Sequence, residues 1–389
     1  MFDEHVDLHI PGPTIVPPAV RRAILAGMED PAMNYRSGRY NALQRRVQEK
    51  LQQVMRTNDD VLILSGSGTA ALEAGIGALV GPGDTVITCV GGFFGGYARG
   101  IAERIGAKQV RLDATWGEAI DPAAIADALA RHPETRAVVV THCETSTGVI
   151  NDVRAIAEVV AATDAVLAVD AVSSLASTPL ETAAWGVDMV MSASQKALML
   201  PPGLALLSVS EKAWARLRPA RSFYFDLPAY REHARGGATP YTPNVPLVMG
   251  LEVALDLILQ DGVEAGWARH ALLRDMARAG VRAMGLTPFA DDAVASSTLT
   301  TVRLDDADRV RTRLDREMGF VVGGGLGEVT NRILRLGHLG WTPPLEVLKM
   351  LAALEVALAR DGRPTPEGAG VAAAQRTWNA SLATPVPVA

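Results

Sequence analysis

Between residues 61 and 210, short apolar runs alternate with longer amphipathic stretches. The runs are VLIL (61–64), DTVITCV (84–90), KQVRL (108–112), AVVVTHC (137–143), AVLAVD (165–170), VDMVMSAS (187–194) and LALLSVS (204–210). Most carry Val, Ile and Leu without polar alternation, the pattern of strands covered on both faces of a mostly parallel sheet. Between them, TAALEAGIGALV (69–80), GYARGIAERIGA (96–107) and VRAIAEVVAAT (153–163) have helical spacing. Repeated strand-then-helix units predict an α/β fold with right-handed crossovers. Only QKALMLPPG separates the last two runs, too little for a crossover helix. That pair is expected to be antiparallel or joined by an irregular turn.

After about residue 240 the pattern changes. Amphipathic stretches at 248–260, 264–284, 306–317 and 344–360 frame two strand candidates, TLTTVRL (298–304) and NRILRLG (331–337). The expected organisation is an N-terminal arm (1–15), a large domain (16–247), a smaller α+β domain (248–362) and a peripheral tail (363–389) whose periodicity is weak. The 389 residues are 48% hydrophobic and 21% charged, ample for a large core. A net charge of −6 leaves no basic surplus for phosphate backbones, which argues against nucleic acid. The N-terminus MFDEHVDLHIPGP lacks the positive charge and apolar run of a signal peptide, and no run of about 20 residues is apolar enough to span a bilayer. The expectation is a cytoplasmic protein. Cys89 and Cys143 are too few for a disulfide framework, and His5 and His9, just before a PGP turn, are not expected to bind metal.

In open α/β sheets, ligands bind beyond the carboxyl ends of the strands. After VLIL comes Ser65-Gly66-Ser67-Gly68-Thr69, small residues opening a helix, a setting that suits an anion. After AVVVTHC comes Glu144-Thr145-Ser146-Thr147-Gly148; AVLAVD ends in Asp170; VDMVMSAS is followed by Gln195-Lys196. Taken singly, a Gly/Ser turn, a strand-end Asp or an isolated Lys is ordinary structure. Their conjunction is not. Lys196 also stands alone in a charge-free run from Val190 to Glu211, a candidate desolvated amine for Schiff-base chemistry. A lysine, an aspartate for a pyridinium nitrogen and a helix N-terminus for a phosphate are what pyridoxal phosphate needs.

At these residues the chain resembles the class V aminotransferases, most of all the alanine–glyoxylate and serine–pyruvate type. The resemblance rests on VDAVSSL (169–175), SASQKAL (192–198) with PPG (201–203), and THCETSTGV (141–149). PGPT (11–14), SGSGTAALEA (65–74), AERIGA (102–107) and RLGHLG (335–340) extend it to about residue 365. It implies a fold-type I enzyme, with a mostly parallel seven-stranded sheet flanked by helices and a smaller C-terminal α+β domain. Lys196 would carry the Schiff base and act as general base, and Asp170 would pair with the pyridinium nitrogen. Val172 and Phe94 would cover the two ring faces. Ser67, Gly68, Thr69 and Gln195 would hold the phosphate, and Thr145 the ring-hydroxyl region. Tyr241 and Asn244, in YTPNVP, would complete the phosphate cup from the other subunit of a homodimer. Arg335 would grip the substrate carboxylate, Gly12 would line the entrance, and the glycine run 323–327 would form a mobile loop near the substrate.

The implied activity is transfer of an amino group from a small L-amino acid, alanine or serine, to glyoxylate or pyruvate. The stretch 253–286 also resembles pyridoxamine–pyruvate aminotransferases, in which a glutamate replaces the phosphate-cup serine and a tyrosine faces the ring; Ser67 and Phe94 stand at those positions here. Cysteine desulfurases share the fold but need a cysteine in a late loop, and none follows Cys143.

Overall fold

The computed structural model describes residues 6–383. His5 therefore lies outside the described residues, whereas His9 belongs to a short first strand, β1 (Asp7–His9), stacked flat on Phe320 with ring centroids 4.9 Å apart. The main run of strands follows: β2 (Asp60–Gly66), β3 (Thr85–Val90), β4 (Lys108–Asp113) and β5 (Ala137–Thr141). A small hairpin, β6 (Cys143–Glu144) and β7 (Val149–Ile150), interrupts it before β8 (Val166–Asp170), β9 (Met189–Ala193) and β10 (Gly203–Val209). The later strands are β11 (Thr287–Pro288), β12 (Leu299–Arg303), β13 (Phe320–Gly324) and β14 (Ile333–Gly337).

Seven strands form one sheet in the order β2-β10-β9-β8-β5-β3-β4. β10 is antiparallel to both neighbours, and the other pairings are parallel. The short 194–202 connection is the reason: it cannot carry the chain back to the starting edge, so β10 returns beside β9 in the reverse sense. Every position of β5, β8 and β9 is buried. Alternate residues feed two separate cores: Leu167 and Val169 of β8 join one, Val166 and Ala168 the other. β4 lies at an edge and keeps Lys108, Arg111 and Asp113 exposed, which blunts pairing with another chain.

The helix Val245–Leu259 buries Val248, Leu251, Ala254 and Leu255 in the same core as Val20 and Leu43. The boundary expected at 247/248 thus falls inside a helix that packs with the large sheet. Gly27 and Gly250 explain the fit, since a Cβ on either would collide with the facing helix, at Met249 and Pro246 or at Ile24.

The second sheet has the order β1-β13-β14-β12-β11, with β1 parallel to β13 and the other pairs antiparallel. The expected N-terminal arm therefore contributes a strand to the C-terminal sheet. Gly323 and Gly324, expected in a mobile loop, end β13, where Gly323 pairs with Arg335. The expected peripheral tail is also corrected. Residues 369–383 form a helix, and Ala374 is fully buried in a third core together with Leu273, Val302 and Leu351. A Cβ on Gly280 would lie 2.9 Å from the Gly370 carbonyl. Such an Ala/Gly contact binds through close backbone approach, so it leaves little apolar periodicity to read.

Candidate functional site

The carboxyl ends of β2, β5, β8 and β9 open on one cavity of about 270 Å3. Gly12, Ser67, Gly68, Thr69, Phe94, Asp170, Val172, Gln195 and Lys196 line it. Nine of the thirteen residues singled out from the sequence thus meet at one place.

Lys196 is held by the N-terminal turn. Its Nζ donates to the Pro11 carbonyl, Thr14 Oγ1 donates to the Lys196 carbonyl at 2.8 Å, and Thr14 N–H to the Gln195 carbonyl at 3.1 Å. Gly12 has φ of 105°, and a Cβ there would lie 2.5 Å from Lys196 Cδ. Only glycine allows both that backbone and that approach. Burial lowers the Lys196 amine to about 8, Cys143 opposing the shift and Arg335 adding to it. About a tenth of the amine is therefore in the uncharged, nucleophilic form at pH 7, far more than for an ordinary lysine.

Asp170 ends β8 almost fully buried. One carboxylate oxygen accepts the Val172 N–H at 3.0 Å, and the other meets the Thr141 hydroxyl at 3.5 Å. Burial pushes its carboxyl up to about 6, against the Val172 hydrogen bond. A carboxylate so placed is short of a cation.

The helix Gly68–Leu79 starts at Ser67, whose side chain makes no cap hydrogen bond, so its first amides and dipole face the cavity uncapped. A Cβ on Gly68 would lie 2.8 Å from Val172 Cγ2, so glycine lets the helix start abut the Val172 wall. Gln195 Oε1 is buried without a hydrogen-bond partner. An anion cradle, an orphan amide, an under-compensated carboxylate and an amine line one small chamber. They fit pyridoxal phosphate.

Four expected residues lie outside that lining. Arg335, on β14, donates from Nε to the Gly324 carbonyl at 2.6 Å and from Nη1 to the Thr145 carbonyl at 3.3 Å. Burial lowers its guanidinium to about 10, which favours an anionic partner. Thr145 is buried beneath it. Tyr241 Oη donates to the Phe223 carbonyl of its own chain, and Asn244 Oδ1 caps the helix Val245–Leu259.

Sequence reading missed Glu144 as a site residue. Its buried carboxylate accepts from the N–H groups of Phe94 (3.3 Å), Gly95 (2.9 Å) and Ser146 (3.0 Å) and from the Ser146 hydroxyl (2.6 Å). It thereby anchors the turn that carries Phe94. Tyr97 also reaches the cavity, packed edge-on to Phe94 at 5.7 Å; its i,i+3 spacing from Phe94 was the available signal. Cys143 lines the chamber too, but its thiol contacts Ser296 and Thr298 hydroxyls and burial pushes it up to about 11. It is a thiol at neutral pH, unsuited to nucleophilic attack.

The fold and chamber define a pyridoxal-phosphate-dependent transferase. More particularly, the chain belongs to the family described as aminotransferase class-V, whose model matches residues 8–331. It is 37% identical to a pyridoxamine–pyruvate transaminase of Mesorhizobium japonicum, over 86% of this chain and 88% of that one. It is 33% identical to a serine–glyoxylate aminotransferase of Methylorubrum extorquens, over 94% of each. Among solved structures, the pyridoxamine–pyruvate aminotransferase of Mesorhizobium loti superposes with a TM-score of 0.91 at 35% identity, covering 97% of this chain and 99% of that one. Among the described residues, no helix is long and apolar enough to cross a membrane.

Proposed function

We propose that this aminotransferase moves the amino group of a small L-amino acid, alanine or serine, to glyoxylate or pyruvate. The observation that carries the reading is the meeting of Lys196 and Asp170 in one chamber with an uncapped helix start. When bound, pyridoxal phosphate supplies an electron-withdrawing ring that eases removal of the substrate α-proton. Lys196 Nζ would hold the cofactor covalently and would serve as the base that moves the substrate proton. Asp170 would pair with the ring nitrogen and hold a proton there, which would relieve its buried charge. Phe94 and Val172, which line the chamber, would cover the two faces of the ring. Ser67, Gly68, Thr69 and Gln195 would take the phosphate, and Thr145, just outside the lining, would lie toward the ring hydroxyl. Arg335 receives the substrate carboxylate through a bidentate pair, and Gly12 leaves the entrance open.

The similarity to pyridoxamine–pyruvate transaminases supports a second reading, with pyridoxamine as amino donor. Ser67 at the uncapped helix start favours a bound phosphate instead, because a hydroxyl can donate to an anion there. A screen of alanine, serine, glycine, aspartate and pyridoxamine against glyoxylate and pyruvate separates the two. Turnover with alanine or serine supports the first; turnover with pyridoxamine alone replaces it.

The reading includes a homodimer with shared sites. Tyr241 and Asn244 lie outside their own chain's chamber, and beside Tyr241 the ring of Phe223 is 86% exposed, an apolar surface suited to a second copy. Tyr241→Phe should weaken cofactor retention about 10–100-fold, the worth of one hydrogen bond to a charged group. Mixing Lys196→Ala with Tyr241→Phe chains gives hybrid dimers in which one site carries both lesions and the other neither. Activity should partly recover. Subunit exchange without recovery would place Tyr241 in its own chain's site.

A further inference from the structure

A second cavity, of about 360 Å3, lies on the far side of the turn that carries Lys196. Lys196 faces the first chamber; Ala197 and Met199, one and three residues on, line the second. The two linings share no residue. The opposite wall comes from the start of the helix Val263–Ala283 and from the loop after Arg335 and β14. That loop is pinned in place. Gly340 N–H donates to His270 Nε2 at 3.0 Å, so the His270 proton sits on Nδ1, against the Gly266 carbonyl at 2.7 Å.

Arg269 is the unusual member of this lining. It is half-buried, and its one hydrogen bond among the described residues goes from Nη1 to the Thr342 carbonyl at 3.0 Å. No carboxylate pairs with it among the described residues, whereas most other arginines of this chain's helices have one. Burial lowers its guanidinium, and no acid offsets the shift. Asp261 stands on the same rim but is exposed to water. An arginine taken from water without an anion is unfavourable, so an anion that brings its own charge to the remaining N–H groups would be welcome. Apart from Arg269, Asp261, His270 and Thr342, the lining side chains are apolar; Met199 and Ile258 are among them, and the Trp341 ring, 46% exposed, stands at the edge. A dry cavity of about 150 Å3 is enough for a benzene ring, so this one has room for an aromatic body and its carboxylate.

We propose that this cavity is a second ligand site, separate from the amino-acid site, for a small carboxylate with an aromatic or branched apolar body. The carboxylate pairs with Arg269 and the body lies between Met199, Ile258 and Trp341. An occupant touches both the turn after Lys196 and the loop after Arg335, the two segments that carry the reactive amine and the carboxylate receptor of the first site.

The probe is 4-fluorophenylacetate, followed by fluorine NMR on the cofactor-loaded enzyme. Wild-type and Arg335→Ala protein should bind it alike. Arg269→Leu, which keeps the apolar stem, should weaken binding about 10–100-fold. Ala265→Phe, which fills the mouth from the solvent side of the helix, should do the same, and keeps the test decisive if Arg269→Leu does not fold. Acetate, without the ring, should bind far more weakly. Binding lost in Arg335→Ala but kept in Arg269→Leu would assign the probe to the substrate site and overturn the proposal. So would undiminished binding in Ala265→Phe, or no binding to the wild-type enzyme.

Discussion

Replacing Lys196 with Ala should abolish transamination, with a fall of at least about 10⁴-fold in single-turnover rate, because covalent attachment and proton transfer vanish together. The wild-type enzyme should yield a borohydride-reduced cofactor adduct on the peptide containing Lys196, and the variant none; an adduct on another lysine would remove Lys196 from the mechanism. The pH dependence is specific. Burial holds the amine at about 8, below its ordinary value, so the reactive neutral form grows as pH rises and saturates above about 8. The rate at which cofactor-free protein captures pyridoxal phosphate should rise about tenfold from pH 6 to 7 and level off beyond 8. A capture rate still climbing steeply between pH 9 and 10 would show an unperturbed lysine.

Asp170→Asn should leave the cofactor bound but cut kcat about 10²–10³-fold, the usual effect of losing one preorganised electrostatic partner. Unchanged turnover would exclude Asp170 from the chemistry. A second readout needs no turnover. In the chain alone, burial raises this carboxyl from 3.8 to about 6. For an acid whose folded ionisation lies above its unfolded one, the folded state takes up protons, and stability falls as pH rises from about 4 to about 6. Above that window the whole penalty, about 3 kcal/mol, is present. Cofactor-free Asp170→Asn should therefore be more stable than wild type at pH 8 and equal to it at pH 4. An equal difference at both values would mean that Asp170 carries no buried charge. Added cofactor should reverse the ranking, since only the carboxylate gains the pyridinium partner.

These expectations rest on features that were unequally visible along the chain. Most strands of the main sheet stand out as apolar runs, because helices cover both faces and no polar alternation is needed; the edge strand β4 is the exception. The reversal of β10 follows from a connection too short to hold a helix. Lys196 and Asp170 could be singled out because each is a lone ionisable group where burial otherwise excludes charge. Such local statements, burial on two faces, connection length and isolated charge, survive in one dimension.

Other features depend on residues distant in the chain. β1 pairs with β13 more than 300 positions away, and three residues cannot signal that pairing. The helix Val245–Leu259 looked like the start of a new domain, yet Gly27 and Gly250 let it lie against the helix Pro18–Glu29. The tail helix was hidden because alanine and glycine contacts bind without an apolar stripe. Glu144 stood in the sequence only as the residue after a strand candidate, and the fold brought the Phe94 turn onto its carboxylate. The sequence by itself determined the main sheet and marked Lys196 and Asp170 as isolated charges beside it, since each follows from what a short segment can tolerate. Only the tertiary structure decided what holds Lys196 under the Pro11 carbonyl, which core each helix joins, and that Arg269 faces a cavity without an acid. Those depend on close approach between distant backbones, and no local pattern encodes it.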